Sequence, residues 1–420
     1  MGKDEGVDFD KYYDIGNKGV EVTGSDYMKN KFTEEKDPDP PDYSNRIPIG
    51  HDWKTGQLKW INVNDDDRFG IFARTGSGKT FLLKSIHSRL FLGGYKVLHL
   101  SDVKNDFADM DHGQGIQKHH MNLIETNKMK EQRQPIPVNM YMPKFMGEQY
   151  YNGPPKKDNF HAFAYSLNDL SESDFLQLIS ADSESKKNLA LEMFDNIEEG
   201  TNFSDLYDIL DDSEANDMTK RTVRSSLETL ERQEVVSNRY QKSPLDTIDE
   251  TVVALAFEHW DKFKRKSMEK MEIYISITIR KVMDQMRERE LEGPLSMIVD
   301  EAHAFAPADG NSISRDDIVD VINLGRAYGI PMFFASQSKS HMPEENFMNQ
   351  MNKFFISKTV PQKERREILQ AANIYEQGDA QRNKWQRIFK EMDQYQWMMI
   401  DKKKSEWTII DILSPLCAHG

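Results

Sequence analysis

The sequence predicts an α/β fold with a mainly parallel central sheet, interrupted by a large and mostly helical insertion. At residues 68–100 an apolar strand, a glycine-rich loop, an amphipathic helix and a second apolar strand follow one another. This order is typical of a parallel sheet with a right-handed crossover. Apolar segments of strand type return after Gly293, and the long stretch before them has helical spacing. We therefore expect one sheet whose strands are far apart in sequence.

The chain divides into four predicted segments. They are an acidic flexible arm at residues 1–45, a first core part at 46–110, the helical insertion at 111–290 and a second core part at 291–420. The arm ends in DPDPPDYSN, and a Pro/Asp run of this kind favours neither a helix nor a central strand. No fixed-period repeat is visible, so a solenoid is not expected.

Apolar segments bounded by turn residues predict the individual strands. The first core part opens with IPIGHDWKTGQLKWINV, which alternates around a Lys-Thr-Gly turn and predicts a β-hairpin. Buried strands are then predicted at RFGIFA (68–73), YKVLHL (95–100), LSMIVD (295–300), PMFFAS (331–336), KFFISK (353–358), WMMIDK (397–402) and EWTIID (406–411).

Composition narrows the class of protein. Of the 420 residues, 55 are Lys or Arg and 70 are Asp or Glu, giving a net charge of -15. This balance disfavours nucleic-acid binding over the whole surface, although a local basic lining stays open. No apolar run approaches the roughly 20 residues that span a bilayer, and the acidic N-terminus does not resemble a signal peptide. The single cysteine, Cys417, suits a reducing compartment, so we expect a cytoplasmic protein without a membrane partner.

Residues 73–80, ARTGSGKT, match the phosphate-loop pattern G-x-x-x-x-G-K-[ST] except that Ala73 replaces the first glycine. The loop glycines let successive N–H groups point at phosphates, and the following helix adds its positive dipole end. Lys79 would contact the β- and γ-phosphates, and the Thr80 hydroxyl would ligate Mg²⁺. A plain glycine-rich turn is the alternative, which the flanking strand and helix disfavour. The predicted nucleotide contacts are Arg74, Thr75, Gly76, Ser77, Gly78, Lys79 and Thr80.

Two acidic residues follow the strand in PLSMIVDEAHAFAP. Asp300 suits the shell of a Mg²⁺ ion, and Glu301, expected to point to the other face of the strand, would orient and deprotonate an attacking water. Taken alone, such a pair is more often a solvated strand end, but a phosphate loop in the same chain needs an acid on a neighbouring strand. His303 is expected to make a local hydrogen bond rather than to bind a metal ion.

Three ordered segments, TGSGKT, IVDEAHAFAP and LGRAYGIPMFFASQS, resemble those of the HerA/FtsK superfamily of hexameric DNA-pumping ATPases, and most closely its HerA branch. The resemblance covers residues 46–110 and 290–420, with a looser likeness at SLNDLSESDFLQLI in the insertion. It implies a RecA-like P-loop NTPase fold, ATP hydrolysis, and ATP with Mg²⁺ as cofactors.

The resemblance also implies roles for four further residues. Gln337 matches the glutamine that senses the γ-phosphate, and Arg326 matches the arginine that reaches into the neighbouring subunit's site. Spreading positive charge over a planar fork suits a guanidinium to that task. A plain surface arginine is the alternative for Arg326. Arg68 and Asp102 match a second basic residue and the acid that ends the second strand, and each stays open between nucleotide contact and a structural role.

The partners implied by the resemblance are further copies of the chain, forming a hexamer, and double-stranded DNA in a central pore. Candidate DNA contacts are Lys220, Arg221, Arg224 and Lys262–Lys266, although such charge runs are more often solvated helix faces. HerA proteins usually begin with a small β-barrel, whereas here an acidic arm precedes the core. This difference puts docking of a nuclease in doubt and suggests a relative carried by a virus or mobile element, with a capsid or portal-type partner.

Other functions stay open at this stage. A motor that packages viral DNA or transfers DNA between cells would use the same chemistry. A nucleotide-gated DNA-binding or assembly protein without translocation is disfavoured, because it would not need Glu301 or Arg326. A small-molecule kinase is disfavoured because such enzymes are usually shorter and lack the GRAYG and ASQS segments.

Overall fold

The structure is a computed structural model. It describes residues 42–63, 67–111, 134–145, 158–237, 243–257, 265–307, 312–337, 348–375 and 378–417. Most of the predicted acidic arm lies outside these ranges, as do the candidate DNA contacts Lys262 and Lys264 and the side chains of Arg265 and Lys266.

Twelve strands form one sheet. They are β1 (Arg46–Asp52), β2 (Leu58–Asn62), β3 (Arg68–Phe72), β4 (Lys96–Asp102), β5 (Val138–Pro143), β6 (Phe160–Phe163), β7 (Val252–Ala256), β8 (Leu295–Val299), β9 (Met332–Ser336), β10 (Lys353–Ser357), β11 (Gln396–Asp401) and β12 (Glu406–Ile412).

Ten α-helices accompany the sheet in the described residues. They are α1 (Lys79–Leu92), α2 (Glu172–Leu178), α3 (Glu184–Phe194), α4 (Phe203–Asp212), α5 (Asp217–Arg232), α6 (Arg265–Glu288), α7 (Ala302–Phe305), α8 (Ile313–Leu324), α9 (Gln362–Ala371) and α10 (Asp379–Glu391). Short 3₁₀ turns lie at Leu167–Asp169 and Pro244–Thr247. None of the helices described is both long and apolar enough to cross a membrane.

The strand order is β2-β1-β12-β11-β10-β3-β9-β8-β4-β7-β5-β6. From β10 to β6 neighbouring strands are parallel, whereas from β2 to β10 they are antiparallel. This confirms the predicted α/β class with a mainly parallel sheet. The predicted hairpin is confirmed as β1 and β2, and every other strand predicted from the sequence is present.

Three strands were not predicted. β5, β6 and β7 lie in the span 111–290, which also carries α2 to α6, and they extend the parallel sheet at one end. Their sequences are short, and β5 and β6 interrupt the apolar pattern with Asn139, Pro143 and His161. Apolar runs this short cannot be told from buried helix by periodicity. The span is therefore built into the sheet as well as being helical.

The parallel strands bring the predicted site segments to one edge of the sheet. β3, β9, β8 and β4 are neighbours that run in the same direction, so their carboxyl ends meet there. Stacked rings hold the centre, since the Phe69 and Phe333 centroids lie 4.2 Å apart. Ligands of open parallel sheets bind at this carboxyl edge.

Glycines border helix α1 at both ends. The helix begins after Gly78, whose φ of 86° is left-handed, and its last residue, Leu92, is followed by the C-cap Gly93. Gly94 has φ 82°, and the N–H of Tyr95 bonds to the Leu90 carbonyl at 3.0 Å. This is the Schellman arrangement, in which glycine at the left-handed position lets the chain turn directly into the next strand.

Candidate active site

The segment between β3 and α1 has the geometry of a phosphate loop. Gly76 and Gly78 have φ of 80° and 86°, values that disfavour a side chain. The Ser77 hydroxyl donates to the Arg74 carbonyl at 2.6 Å and closes the turn. Ala73 does not need glycine's freedom, because its N–H donates to the Ser336 carbonyl at 3.1 Å and so continues the ladder to β9. The departure from the motif therefore falls on a residue still held by the sheet.

Lys79 is buried and paired with both predicted acids. Its Nζ lies 2.6 Å from Asp300 Oδ1 and 2.6 Å from Glu301 Oε1. Burial alone would lower the pKa of Lys79, but the charges of the two carboxylates outweigh it and raise the pKa. The ammonium is therefore held charged at the point where the phosphate loop ends.

The orientation of Glu301 corrects a sequence expectation. We expected Asp300 and Glu301 to point to opposite faces of a strand, but β8 ends at Val299. Glu301 lies beyond it in the left-handed region, with φ 46° and ψ 41°, and precedes α7. This backbone costs of order 1–3 kcal/mol for a residue with a side chain, and it turns both carboxylates toward one ammonium.

Gln337 connects the acid pair to the phosphate loop. Its Nε2 donates to Glu301 Oε1 at 2.8 Å, and its Oε1 accepts from the Thr75 hydroxyl at 3.3 Å. The predicted sensor residue thus lies between the two motifs, as the strand order β3-β9-β8 requires. His303 Nδ1 lies 3.2 Å from the Ser336 hydroxyl and 3.4 Å from Glu301 Oε2, which fits the local role expected for it.

An acid that the sequence analysis missed binds Thr80. The Thr80 hydroxyl donates to Asp106 Oδ2 at 2.9 Å. Asp106 follows β4 in SDVKND, and nothing in that spacing alone distinguishes it from a solvated loop acid. Because a hydroxyl has one proton and two lone pairs, donation to Asp106 leaves the oxygen free to accept or to ligate a cation.

Asp102 holds the loop that carries Asp106. Its buried carboxylate accepts the backbone N–H groups of Lys104, Asp106 and Phe107 at 3.3, 3.1 and 3.1 Å. Burial, followed by the charge of Asp106, raises the pKa of Asp102 to about 7. Of the two roles left open for Asp102, this geometry supports the structural one, with an effect on Thr80 through Asp106.

The donors present fit a Mg²⁺ ion. Thr80 and Asp300 offer oxygen atoms, which Mg²⁺ prefers. Thr80 lies in the first turn of α1, and Asp300 contacts Lys79. The described residues contain no group of three or more His, Cys, Asp or Glu that would hold a metal alone. Such a site therefore suits an ion shared with nucleotide phosphates and water, as Mg²⁺ usually is.

Arg68 lies away from its own phosphate loop, and of the two roles left open for it this position supports the structural one. It is the first residue of β3, at the amino edge of the sheet, and only 2% exposed. Its guanidinium donates to the Ile330 carbonyl at 2.7 Å and to the Ile322 carbonyl at 3.3 Å. A cation there neutralises the carbonyl end of α8 and fixes the turn between these residues.

That turn carries Arg326. Arg326 is exposed and makes no side-chain hydrogen bond or ion pair with the described part of the chain. It lies at the amino edge beside Arg68, whereas its own phosphate loop follows the carboxyl end of β3. The five-residue strand between the two edges is about 16 Å long. Arg326 therefore cannot act on a nucleotide held by its own loop.

The described candidates for DNA contact differ in whether their side chains already bond to another residue of the chain. On α5 the Lys220 ammonium donates to the Asp211 carbonyl at 2.8 Å, and Arg224 forms an ion pair with the Asp211 carboxylate. Arg221 is exposed. Two of the three candidate cations on this helix are thus already bonded to the same residue, Asp211.

A family model described as "Helicase HerA, central domain" matches residues 60–303. In structure, VirB4 of Thermoanaerobacter pseudethanolicus is similar with a TM-score of 0.52 and 12% identity, over 87% of this chain and 96% of that one. At that identity the likeness shows the fold. The bacterial conjugative coupling protein TrwB gives a TM-score of 0.48 and 11% identity, over 85% and 89% of the two chains.

The genome packaging NTPase B204 from Sulfolobus turreted icosahedral virus 2 gives a TM-score of 0.32 and 10% identity, over 83% of this chain and 99% of that one. Comparison with curated protein sequences gave no significant match. The family match confirms the resemblance drawn from the three sequence segments.

Replacing Asp102 tests the structural role assigned to it. The folded protein keeps a proton on Asp102 up to about pH 7, whereas a free aspartate loses it near 3.8. The free energy of unfolding that this group contributes therefore falls as pH rises from 3.8 to about 7 and is then constant. We expect Asp102→Asn to gain stability relative to the native chain over that range, measured as melting temperature from pH 5 to 8. A difference between the two proteins that does not change with pH would contradict this assignment.

Proposed function

The chain belongs to the family described as the central domain of the helicase HerA and is a P-loop ATPase, and we propose that it couples ATP hydrolysis to the movement of double-stranded DNA as a ring of identical subunits. The observation that carries this proposal is the division of the catalytic groups between two edges of the sheet. Lys79, Glu301 and Gln337 meet at the carboxyl edge, and the exposed Arg326 lies at the opposite one.

Nucleotide binding would begin at Lys79. Its present partners are the Asp300 and Glu301 carboxylates, which compete with phosphate for the same ammonium. When the β- and γ-phosphates enter the loop, Lys79 exchanges Glu301 for phosphate oxygens and Glu301 becomes available as a base. The loop N–H groups and the N-terminal end of α1 supply the remaining positive potential.

Hydrolysis then needs a base within reach of water. Glu301 Oε2 is buried and accepts no hydrogen bond from the described residues, with His303 Nδ1 3.4 Å away, so its lone pairs are available to accept from water. In the proposed step this oxygen takes a proton from water while the water oxygen attacks the γ-phosphorus. The bond to the β–γ bridging oxygen breaks, and ADP and phosphate leave. Gln337, already bonded to Glu301, orients the water and reports the state of the γ-phosphate.

Mg²⁺ bound with the nucleotide would neutralise developing charge on the phosphates. Thr80 and Asp300 are the residues proposed to hold it. Asp106 accepts a hydrogen bond from the Thr80 hydroxyl, which would leave the lone pairs of that oxygen available to the cation. The prediction of Thr80 and Asp300 as the metal site thus stays a proposal, now with Asp106 as its support.

The position of Arg326 supports an assembly in which one copy completes the site of the next. A guanidinium at the amino edge reaches a nucleotide when a neighbouring copy presents its carboxyl edge to it. Repeating such a head-to-tail contact closes a ring, and a hexamer is the form proposed from the family resemblance. Duplex DNA in the pore is proposed on the same basis.

Mixed assemblies test the action of Arg326 across subunits. Arg326→Ala should bind ATP normally but hydrolyse it about 10³- to 10⁵-fold more slowly, the range seen when an arginine finger is lost. Mixing it with Lys79→Ala should restore part of the activity, because some sites then combine an intact loop with an intact arginine. Arg387→Ala, an exposed arginine on α10, is the matched control and should keep full turnover. Absence of rescue, with the protein sedimenting as a monomer in ATP, would show that the proposed arrangement is wrong.

DNA-stimulated turnover tests the motor function itself. We expect purified protein at low salt to hydrolyse ATP faster when duplex DNA is added, and the stimulation to fade as salt rises because phosphate contacts are screened. Glu301→Gln should still bind ATP but lose about 10²- to 10⁴-fold in turnover, the usual contribution of a general base. Turnover that is unchanged by duplex DNA, while remaining sensitive to Glu301→Gln, would leave an ATPase and refute the motor.

A further inference from the structure

Helices α9 and α10 enclose a cavity of about 420 Å³ that is separate from the phosphate loop. Its size falls in the range of about 300–1,000 Å³ typical of small-ligand sites. No acidic side chain is among the described residues that line it. The lining residues are Gln362, Lys363, Arg365, Arg366, Leu369, Tyr375, Arg382, Trp385, Gln386 and Phe389.

Three of the lining cations have no acidic partner among the residues that the structure describes. Lys363, Arg365 and Arg366 form no ion pair and no side-chain hydrogen bond within the part of the chain that the structure describes. Arg365 is half-buried, and its Nε has no hydrogen-bond partner there. Its guanidinium lies over the Phe389 ring at 4.5 Å. Of the three, Arg365 is the one withdrawn from water, and a cavity whose described lining holds cations and no acid favours an anionic ligand.

Arg365 is partly removed from water and has no acidic partner among the described residues, so its charge is unfavourable where it lies. Burial lowers the pKa of this guanidinium, because removing a cation from water without an anion is unfavourable. Contact with the Phe389 ring offsets part of that cost. An anion held at Arg365 would offset more and would also satisfy Nε.

Part of the cavity lining, the apolar wall, consists of apolar and aromatic side chains. Leu369, Tyr375, Trp385 and Phe389 supply it, and Trp385 and Phe389 are only 4% and 2% exposed. Trp385 is fixed by an edge contact with Trp407, with ring centroids 5.1 Å apart. Its indole Nε1 is a second buried donor without a partner among the described residues. The cavity therefore combines anion binding with a surface suited to a flat ring.

We propose that the α9–α10 cavity binds a nucleotide unit, with its phosphate at Arg365 and Arg366 and its base against the apolar wall. The cations of the lining suit one phosphate, and its apolar and aromatic residues suit one aromatic ring system. The unit comes either from a free nucleotide or from a single nucleic-acid strand with an unstacked base, since both present the same chemistry. A stacked duplex does not fit, because its bases are enclosed.

The chain segments on either side of the helix pair contact the phosphate loop. Before α9, the Thr359 hydroxyl accepts the Arg74 N–H at 3.0 Å. After α10, Gln394 Nε2 donates to the Gly76 carbonyl at 3.2 Å. A ligand bound between α9 and α10 would therefore lie close in sequence to Thr359 and Gln394, which touch the loop backbone. We expect such a ligand to alter ATP turnover.

Binding is measured in the Lys79→Ala background, which removes the main phosphate contact of the other site and separates this test from ATP hydrolysis. The probes are a fluorescent ADP analogue, a short fluorescent single strand and the corresponding duplex, each titrated at low salt. Arg366→Ala and Arg365→Ala should each weaken binding of the free nucleotide or of the single strand by about 10- to 100-fold, as loss of a charge-assisted hydrogen bond does. Whichever probe responds identifies the source of the nucleotide unit.

Arg387→Ala is the matched control. Arg387 lies on α10 but points outward, where it pairs with Glu391 at 2.7 Å, so its loss changes net charge equally without touching the cavity. Because Arg366 is exposed, Arg366→Ala should keep the native melting temperature even if Arg365→Ala does not. The proposal is overturned if neither the ADP analogue nor the single strand binds the Lys79→Ala protein, or if the duplex alone binds. It is also overturned if Arg366→Ala and Arg387→Ala have equal affinity for the probe.

Discussion

The ion cluster of Lys79 with Asp300 and Glu301 is the interaction on which the rest of the site depends. It joins the loop after β3 to the end of β8, two strands separated in the sheet by β9. Gln337, at the end of that middle strand, then bonds to both sides. Without phosphate, the two carboxylates supply the counter-charge for the buried ammonium. An unpaired charge there would cost several kcal/mol. In the proposed function, ATP binding is an exchange of anions at this one ammonium.

The second constraint is the length of a strand. Arg68 and Arg326 lie at the amino edge and the acid cluster lies at the carboxyl edge, about 16 Å apart along five residues. Arg68 uses its full buried guanidinium to hold the turn that presents Arg326. Arg326 makes no side-chain hydrogen bond or ion pair with the described residues and lies at the edge away from its own phosphate loop, which supports the proposal that it serves another copy. In the proposed ring, this geometry would couple hydrolysis between neighbouring subunits.

Much of this was predictable from sequence, because motifs encode local backbone. ARTGSGKT between an apolar strand and a helix specifies the loop, and the strand order then brings DE and ASQS beside it. The left-handed turn at Glu301 was not predictable, since alternation along a strand says nothing about where the strand ends. Asp106 and Arg68 depend on long-range packing: one loop folds back to Thr80, and one side chain crosses to α8. The net charge of -15 likewise conceals the cationic cavity between α9 and α10.

The most direct test of the anion exchange is a structure of the protein with a non-hydrolysable ATP analogue and Mg²⁺. The quantity to measure is the distance from Lys79 Nζ to the Glu301 carboxylate, which is 2.6 Å here. We expect this contact to be broken, with Nζ on the β- and γ-phosphates and Glu301 facing water next to the γ-phosphate. A complex in which the analogue occupies the loop while Lys79 keeps both carboxylates would contradict the account.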